Sequence, residues 1–149
     1  MIISFDIDET LISHVNEFQS ESPTIRSRIF KTEKIRKGTI KLFQKIKEEN
    51  HEIWIYTTSF RSQLKLRLTF FAYGLYPTKF INETLNRKAL KKANCTASKN
   101  PNLFGIDIHV DDSEGVRIEG ERYEFKTIIV KPDDINWQAK VLAACNLKT

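Results

Sequence analysis

Three short runs carry the residues able to do chemistry. They are Asp6-Ile7-Asp8-Glu9-Thr10, Thr57-Thr58-Ser59 and Asp111-Asp112, and each directly follows an apolar stretch. The stretches are Ile2-Ile3-Ser4-Phe5, Ile53-Trp54-Ile55-Tyr56 and Ile108-His109-Val110. Short apolar runs of this kind read as buried strands. In sheets with helices on both faces, ligands bind in the crevice outside the carboxyl ends of the strands. Three strands separated in sequence therefore bring carboxylates or hydroxyls to one rim. Carboxylate oxygens are hard ligands and suit Mg²⁺, which keeps several waters and takes a few acids plus substrate phosphate.

The elements needed to position these residues are visible around them. Residues 2–7 read as the first strand, and 11–37 as a loop or flap with a weak hairpin, in which Pro23 excludes a helix. Ile40, Phe43 and Ile46 recur at helical spacing, so a helix is expected from Thr39, as its N-cap, to about Asn50. Residues 52–57 form a second strand. For 60–73 the pattern fits strand or helix. Length, Ser59 at an N-cap position and Gly74 at C′ favour the helix. A short strand at 79–82, a helix at 84–93 and a loop at Asn100-Pro101-Asn102 follow. Residues 104–110 and 125–130 make the fourth and fifth strands. Asp111-Asp112 before Ser113-Glu114-Gly115 also fits plain turn chemistry, and a helix from about Asp134 to Cys145 closes the chain. The fold class is therefore α/β: a Rossmann-like three-layer sandwich around a mostly parallel sheet of about five strands, as one domain over residues 1–149.

Composition agrees with one core in a water-soluble chain, at 40% hydrophobic and 29% charged residues over 149 positions. The formal charge of +5, from 24 basic and 19 acidic residues, favours anionic partners without choosing among them. Cys95 and Cys145 have no metal-ligand spacing and suggest free thiols in a reducing compartment. The N-terminus enters a strand directly, with no secretory or membrane-spanning pattern, so the cytoplasm is the expected location.

Taken together, the runs resemble the motifs of the haloacid dehalogenase-like (HAD) superfamily over nearly the whole chain. Asp6-Ile7-Asp8-Glu9-Thr10 matches its first motif, the strand ending in Thr57 its second, and the strand ending in Asp111-Asp112 its fourth. The resemblance implies a magnesium-dependent phosphohydrolase. Asp6 would be the nucleophile, forming an aspartyl-phosphate, and Asp8 the general acid and base. Dehalogenases of the family lack an acid at the position of Asp8, so its presence points to phosphoryl chemistry. Thr57, with the backbone N–H of Thr58, would hold the phosphoryl group. Asp6, Asp111 and the backbone carbonyl of Asp8 would bind Mg²⁺, with Asp112 beside the metal or reaching it through water. The family's third motif is a single lysine, for which Lys99 and Lys88 are the candidates, with Lys99 favoured by its place in the loop before the fourth strand. Thr10 and Arg61 complete the phosphate-facing set.

Neither the segment at 11–37 nor that at 83–103 can build a full cap domain, so the chain resembles capless members. Its substrate would be phosphorylated and accessible: a phosphoprotein, a nucleic-acid end or an exposed small phosphate. No membrane and no obligate nucleic-acid partner is implied. Two other classes stay open: a non-catalytic module binding a polyanion or a protein on this fold, and a phosphotransferase. The remaining residues fit plainer roles. His109 and Trp54 read as packed in the core, and His14 as a surface residue near the flap. Lys34, Arg36 and Lys37 read as a solvated face or a patch facing substrate.

Overall fold

The computed structural model describes residues 1–146. Its sheet has five parallel strands in the order β3-β2-β1-β4-β5, with β1 at Ile2–Phe5, β2 at Glu52–Tyr56, β3 at Lys79–Ile81, β4 at Ile108–Asp111 and β5 at Thr127–Ile129. Connections from β1 run outward through α1 (Ile25–Ile29), α2 (Thr39–Glu48) and α3 (Gln63–Ala72) to β3. The chain then returns through α4 (Glu83–Lys92) to β4, and continues through α5 (Glu114–Tyr123) to β5 and α6 (Trp137–Ala144). The direction of travel reverses between β1 and β4, which makes their carboxyl ends the topological switch point.

Alternation along the strands sorts the two faces. Ile3, Phe5, Ile53, Ile55, Ile108 and Val110 point into one apolar core with Leu42, Phe43 and Ile46 of α2, Leu66 and Phe70 of α3, and Trp137 and Val141 of α6. The opposite face holds a smaller cluster of Trp54, Tyr56, Ile81 and Ile106, with Leu85 of α4 and Phe104 packed on it. Ser4 and His109 alternate onto that second face, and both are fully buried. They satisfy each other by a 2.8 Å bond from Ser4 Oγ to His109 Nδ1.

Several boundaries differ from those read in the sequence, each for a local reason. Gly38, at φ +91°, is the N-cap of α2. Thr39 is instead the first helical residue, and its hydroxyl donates 2.7 Å to the Arg36 carbonyl. The α3 N-cap is Ser62, whose hydroxyl accepts the Lys65 N–H, while Ser59 lies upstream in the loop. Gly74 (φ +73°) does take the left-handed C′ position expected of it. Asn100-Pro101-Asn102 leads into a 3₁₀ turn over Pro101–Phe104, capped by the Asn100 side chain. Ser113-Glu114-Gly115 opens α5, a ten-residue helix that its glycines disguise. Segment 11–37 contains one helical turn, α1, and a lone antiparallel bridge between Ser20 and Arg36. It has no sheet of its own among the described residues and forms no full cap. Among those residues, no helix is long and apolar enough to cross a membrane.

Candidate active site

Strand register builds the site. Phe5 pairs with Ile55 of β2 and with Val110 of β4, and the Asp6 N–H donates 2.8 Å to the Val110 carbonyl. Asp6 and Asp111 thus end the two central strands side by side. By alternation both project to the face that carries Ser4, His109 and Tyr56. The loop before the 3₁₀ turn runs over that same face and supplies Lys99, whose Nζ lies 2.6 Å from Asp6 Oδ1 and 2.6 Å from Asp111 Oδ2. All three are almost fully buried. One carboxylate oxygen from each of Asp6, Asp111 and Asp112 lies within 4.8 Å of the other two.

The remaining sequence candidates take distinct places. Beyond β1 the chain turns sharply, with Glu9 in the left-handed region at φ 56° and the Leu11 and Ile12 N–H groups both donating to the Ile7 carbonyl. This turn aims Asp8 toward the rim and Thr10 inward. Thr10 is fully buried and donates 3.3 Å to Asp112. It tethers an acid, so its hydroxyl is engaged within the protein. Thr57 follows β2, fully buried, and its hydroxyl accepts the Ser59 N–H at 3.1 Å. Thr58 is exposed beside it. Lys88 is exposed on α4 and makes no ion pair with the acids of the site among the described residues.

Arg61, expected to face phosphate, is engaged by the protein's own acids. Its Nε and Nη2 donate to both oxygens of Glu33 at 2.9 and 2.8 Å, and its Nη1 lies 2.7 Å from Asp8 Oδ1 and 2.8 Å from Ser59 Oγ. His14 Nε2 lies 2.8 Å from the same Asp8 oxygen. Of the basic trio, Lys34 and Lys37 are exposed, but Arg36 is buried. It sits between the Phe18 and Trp137 rings and donates to the carbonyls of Thr10, Lys131, Pro132 and Asp134. It belongs to no exposed basic patch.

Electrostatics follow from this crowding. Burial drives the Asp6 carboxyl up to about 7, opposed by Lys99 and reinforced by Asp111 and Asp8. Burial would also raise Asp111, but the Lys99 ammonium and the His109 bond outweigh it and hold Asp111 well below the ordinary carboxylate range. Burial would lower Lys99, yet the two carboxylates win and push it up, so it stays charged. His109, 3.0 Å from Asp111, is lowered chiefly by burial and is neutral. Burial and the neighbouring Asp111 raise Asp112. Three carboxylates thus face one ammonium, an excess of negative charge that a hard divalent cation fits.

Several supporting residues carry no signal in the sequence. Glu119 of α5 accepts the Ser98 N–H at 2.6 Å and the Lys99 N–H at 3.3 Å, which fixes the loop that carries the lysine. The Tyr56 hydroxyl donates 2.6 Å to Asn86 and accepts the Asn100 N–H at 3.0 Å. Glu33 lies in the segment with least periodicity. Only face parity offered a clue: Ser4 and Asp6 along the first strand and His109 and Asp111 along β4 share the side on which Lys99 arrives.

No protein-family model and no curated protein sequence matches the chain. Solved structures do. A predicted HAD-like family hydrolase from Porphyromonas gingivalis is 13% identical with a TM-score of 0.50, over 99% of this chain and 98% of that one. CbbY from Rhodobacter sphaeroides, in complex with phosphate, is 12% identical with a TM-score of 0.49, over 87% of this chain and 85% of its own. A point variant of CbbY in complex with xylulose-(1,5)bisphosphate gives 11% and 0.49 over the same shares. The chain thus shares its overall fold with the Porphyromonas protein over nearly the full length of both.

Proposed function

We propose that the chain is a magnesium-dependent phosphomonoesterase working through an aspartyl-phosphate on Asp6. The observation that carries this reading is the convergence of Asp6 and Asp111, from two different strands, on the Lys99 ammonium at 2.6 Å each. A buried carboxylate can approach a phosphate dianion only where positive charge offsets the repulsion. Asp6, Asp111, Asp112 and the Asp8 carbonyl would hold the metal. When bound, Mg²⁺ supplies the charge that keeps Asp6 ionised and screens the phosphoryl oxygens.

The residues divide the reaction as follows. An Asp6 oxygen forms a bond to phosphorus as the bond to the ester oxygen breaks, and Asp8 gives its proton to the departing oxygen. Asp8 then takes a proton from water, whose oxygen bonds to phosphorus and releases Asp6 with inorganic phosphate. Thr57 and the Thr58 N–H hold the transferring group, and Lys99 neutralises charge on its inner side. The substrate is an accessible phosphate monoester, because segment 11–37 does not enclose the rim. Two free cysteines, one of them buried, agree with a reducing compartment such as the cytoplasm.

The test is hydrolysis of an aryl phosphate with and without Mg²⁺, comparing wild type with Asp6→Asn. Turnover that needs the metal and is lost in the variant is expected. A wild type without turnover on aryl, sugar, peptide and nucleotide phosphates refutes the enzyme reading. Polyanion binding that survives Asp6→Asn would then favour a binding module.

A further inference from the structure

Arg61 joins the flap to the site. It is the link between Asp8 and Glu33, a residue of segment 11–37 that lies 28 positions upstream of it. Its side chain is only 10% exposed, so the guanidinium is held in place and not waving in solvent. Two of its nitrogens take both Glu33 oxygens, the fork-on-fork geometry that fixes a guanidinium plane most firmly. The third nitrogen is left for Asp8 and Ser59. Burial would raise Glu33, but the Arg61 bonds and charge, helped by Lys65, outweigh it and hold Glu33 ionised.

We propose that Glu33 is a positioning residue for the reaction: it occupies two arms of Arg61, so that the remaining arm sets the direction of the Asp8 carboxylate. The proposal rests on the phosphomonoesterase reading, in which Asp8 moves the proton. Without Glu33, Arg61 is free to close on Asp8 with two arms and turn its carboxylate away from the ester oxygen. A lysine at 61 offers one point charge and cannot bridge both acids. Glu33 is an anion and does not attract a phosphate, so any effect of its removal on turnover passes through Arg61.

Steady-state kinetics with an aryl phosphate under saturating Mg²⁺ test this. Glu33→Gln is expected to lower kcat about tenfold, and Arg61→Lys and Arg61→Ala at least as far, with KM nearly unchanged in all three. Glu33→Asp recovers part of the loss. If Arg61 instead binds the substrate phosphate, Arg61→Ala raises KM and Glu33→Gln lowers it, which overturns the proposal. Unchanged kcat in Glu33→Gln overturns it as well. A melting-temperature cycle of Asp8→Asn, Glu33→Gln and the double variant reads the shared guanidinium without any turnover. The double variant should depart from the sum of the single shifts by about 2 °C or more. Additive shifts overturn the proposal even in a protein inert toward phosphate esters, whereas inert wild type with a non-additive cycle refutes only the enzyme reading.

Discussion

Replacing Lys99 by Met keeps most of the buried stem and removes only the charge between Asp6 and Asp111. Both ion pairs are 2.6 Å long, and no residue in the triad is more than 8% exposed at its side chain. Breaking a buried pair by deleting one partner costs about 3–5 kcal/mol, because the surviving charge is left without water or counter-charge. For a chain of this size that is a melting temperature lower by roughly 6–20 °C. The loss should depend on conditions in a way that lost packing would not. In the variant Asp6 loses the charge that lowers it, so its carboxyl is pushed further above 7 and the penalty grows as the pH rises toward about 8. At about pH 5.5 Asp6, already raised to about 7 with the lysine present, takes a proton and removes much of the repulsion. Mg²⁺ at a hundredfold excess over its dissociation constant returns about 2.7 kcal/mol by mass action. Thermal melts of wild type and Lys99→Met, at both pH values and with and without Mg²⁺, measure each contribution. An equal drop under all four conditions would show that the cost is packing and that the acids do not depend on the lysine's charge.

Further outcomes follow from the geometry. Asp6 has a folded-state value raised to about 7, so its contribution to metal-free stability is full below the unfolded value and is lost as pH rises through 7. The depressed Asp111 works oppositely, contributing above the ordinary carboxylate value and losing that contribution as pH falls. In the proposed site magnesium would displace the Asp6 proton, so its apparent affinity should rise up to about tenfold per pH unit below 7 and level off above. Titration calorimetry in buffers of different ionisation enthalpy should find about one proton released near pH 6 and none near pH 8.5. Arg36→Met strands four carbonyls and should cost about 3 kcal/mol in denaturant midpoints, with Arg36→Lys little better. Gly120→Ala places a methyl 2.8 Å from the Phe125 carbonyl and should destabilise by about 1–3 kcal/mol. Gly115→Ala meets only the Ser113 hydroxyl, at 3.3 Å, which can rotate away, and should stabilise α5 by up to about 1 kcal/mol.

How much of this was legible depended on whether a feature was local in the chain. The strand ends that carry Asp6, Thr57 and Asp111 announce themselves, because an apolar run that stops in acids or hydroxyls has a buried body and a polar tip. That Lys99 and not Lys88 lies between the acids follows from which sheet face the loop crosses, something that spacing alone leaves open. α5 was missed because Gly115 and Gly120 lower its propensity, while Gly120 is there to let the helix approach Phe125 and Thr127. Thr39 and Ser59 are good capping residues, but the neighbours that cap are Gly38 and Ser62, since only backbone conformation decides which residue sits half inside the helix. Arg36 reads as part of a solvated or substrate-facing patch and Arg61 as a phosphate-facing residue, yet both are held by carbonyls and carboxylates contributed from distant segments. Such pairings are tertiary, and no periodicity carries them.

The acids end two strands, β1 and β4, that have neighbours on both sides, whereas segment 11–37 is held by side chains, one short turn and a lone bridge. Backbone amides of β1 and β4 can exchange with solvent only when the sheet itself opens, while those of residues 13–34 need no such event. Segment 11–37 can therefore loosen locally without parting the strands, and the carboxylates keep their spacing throughout.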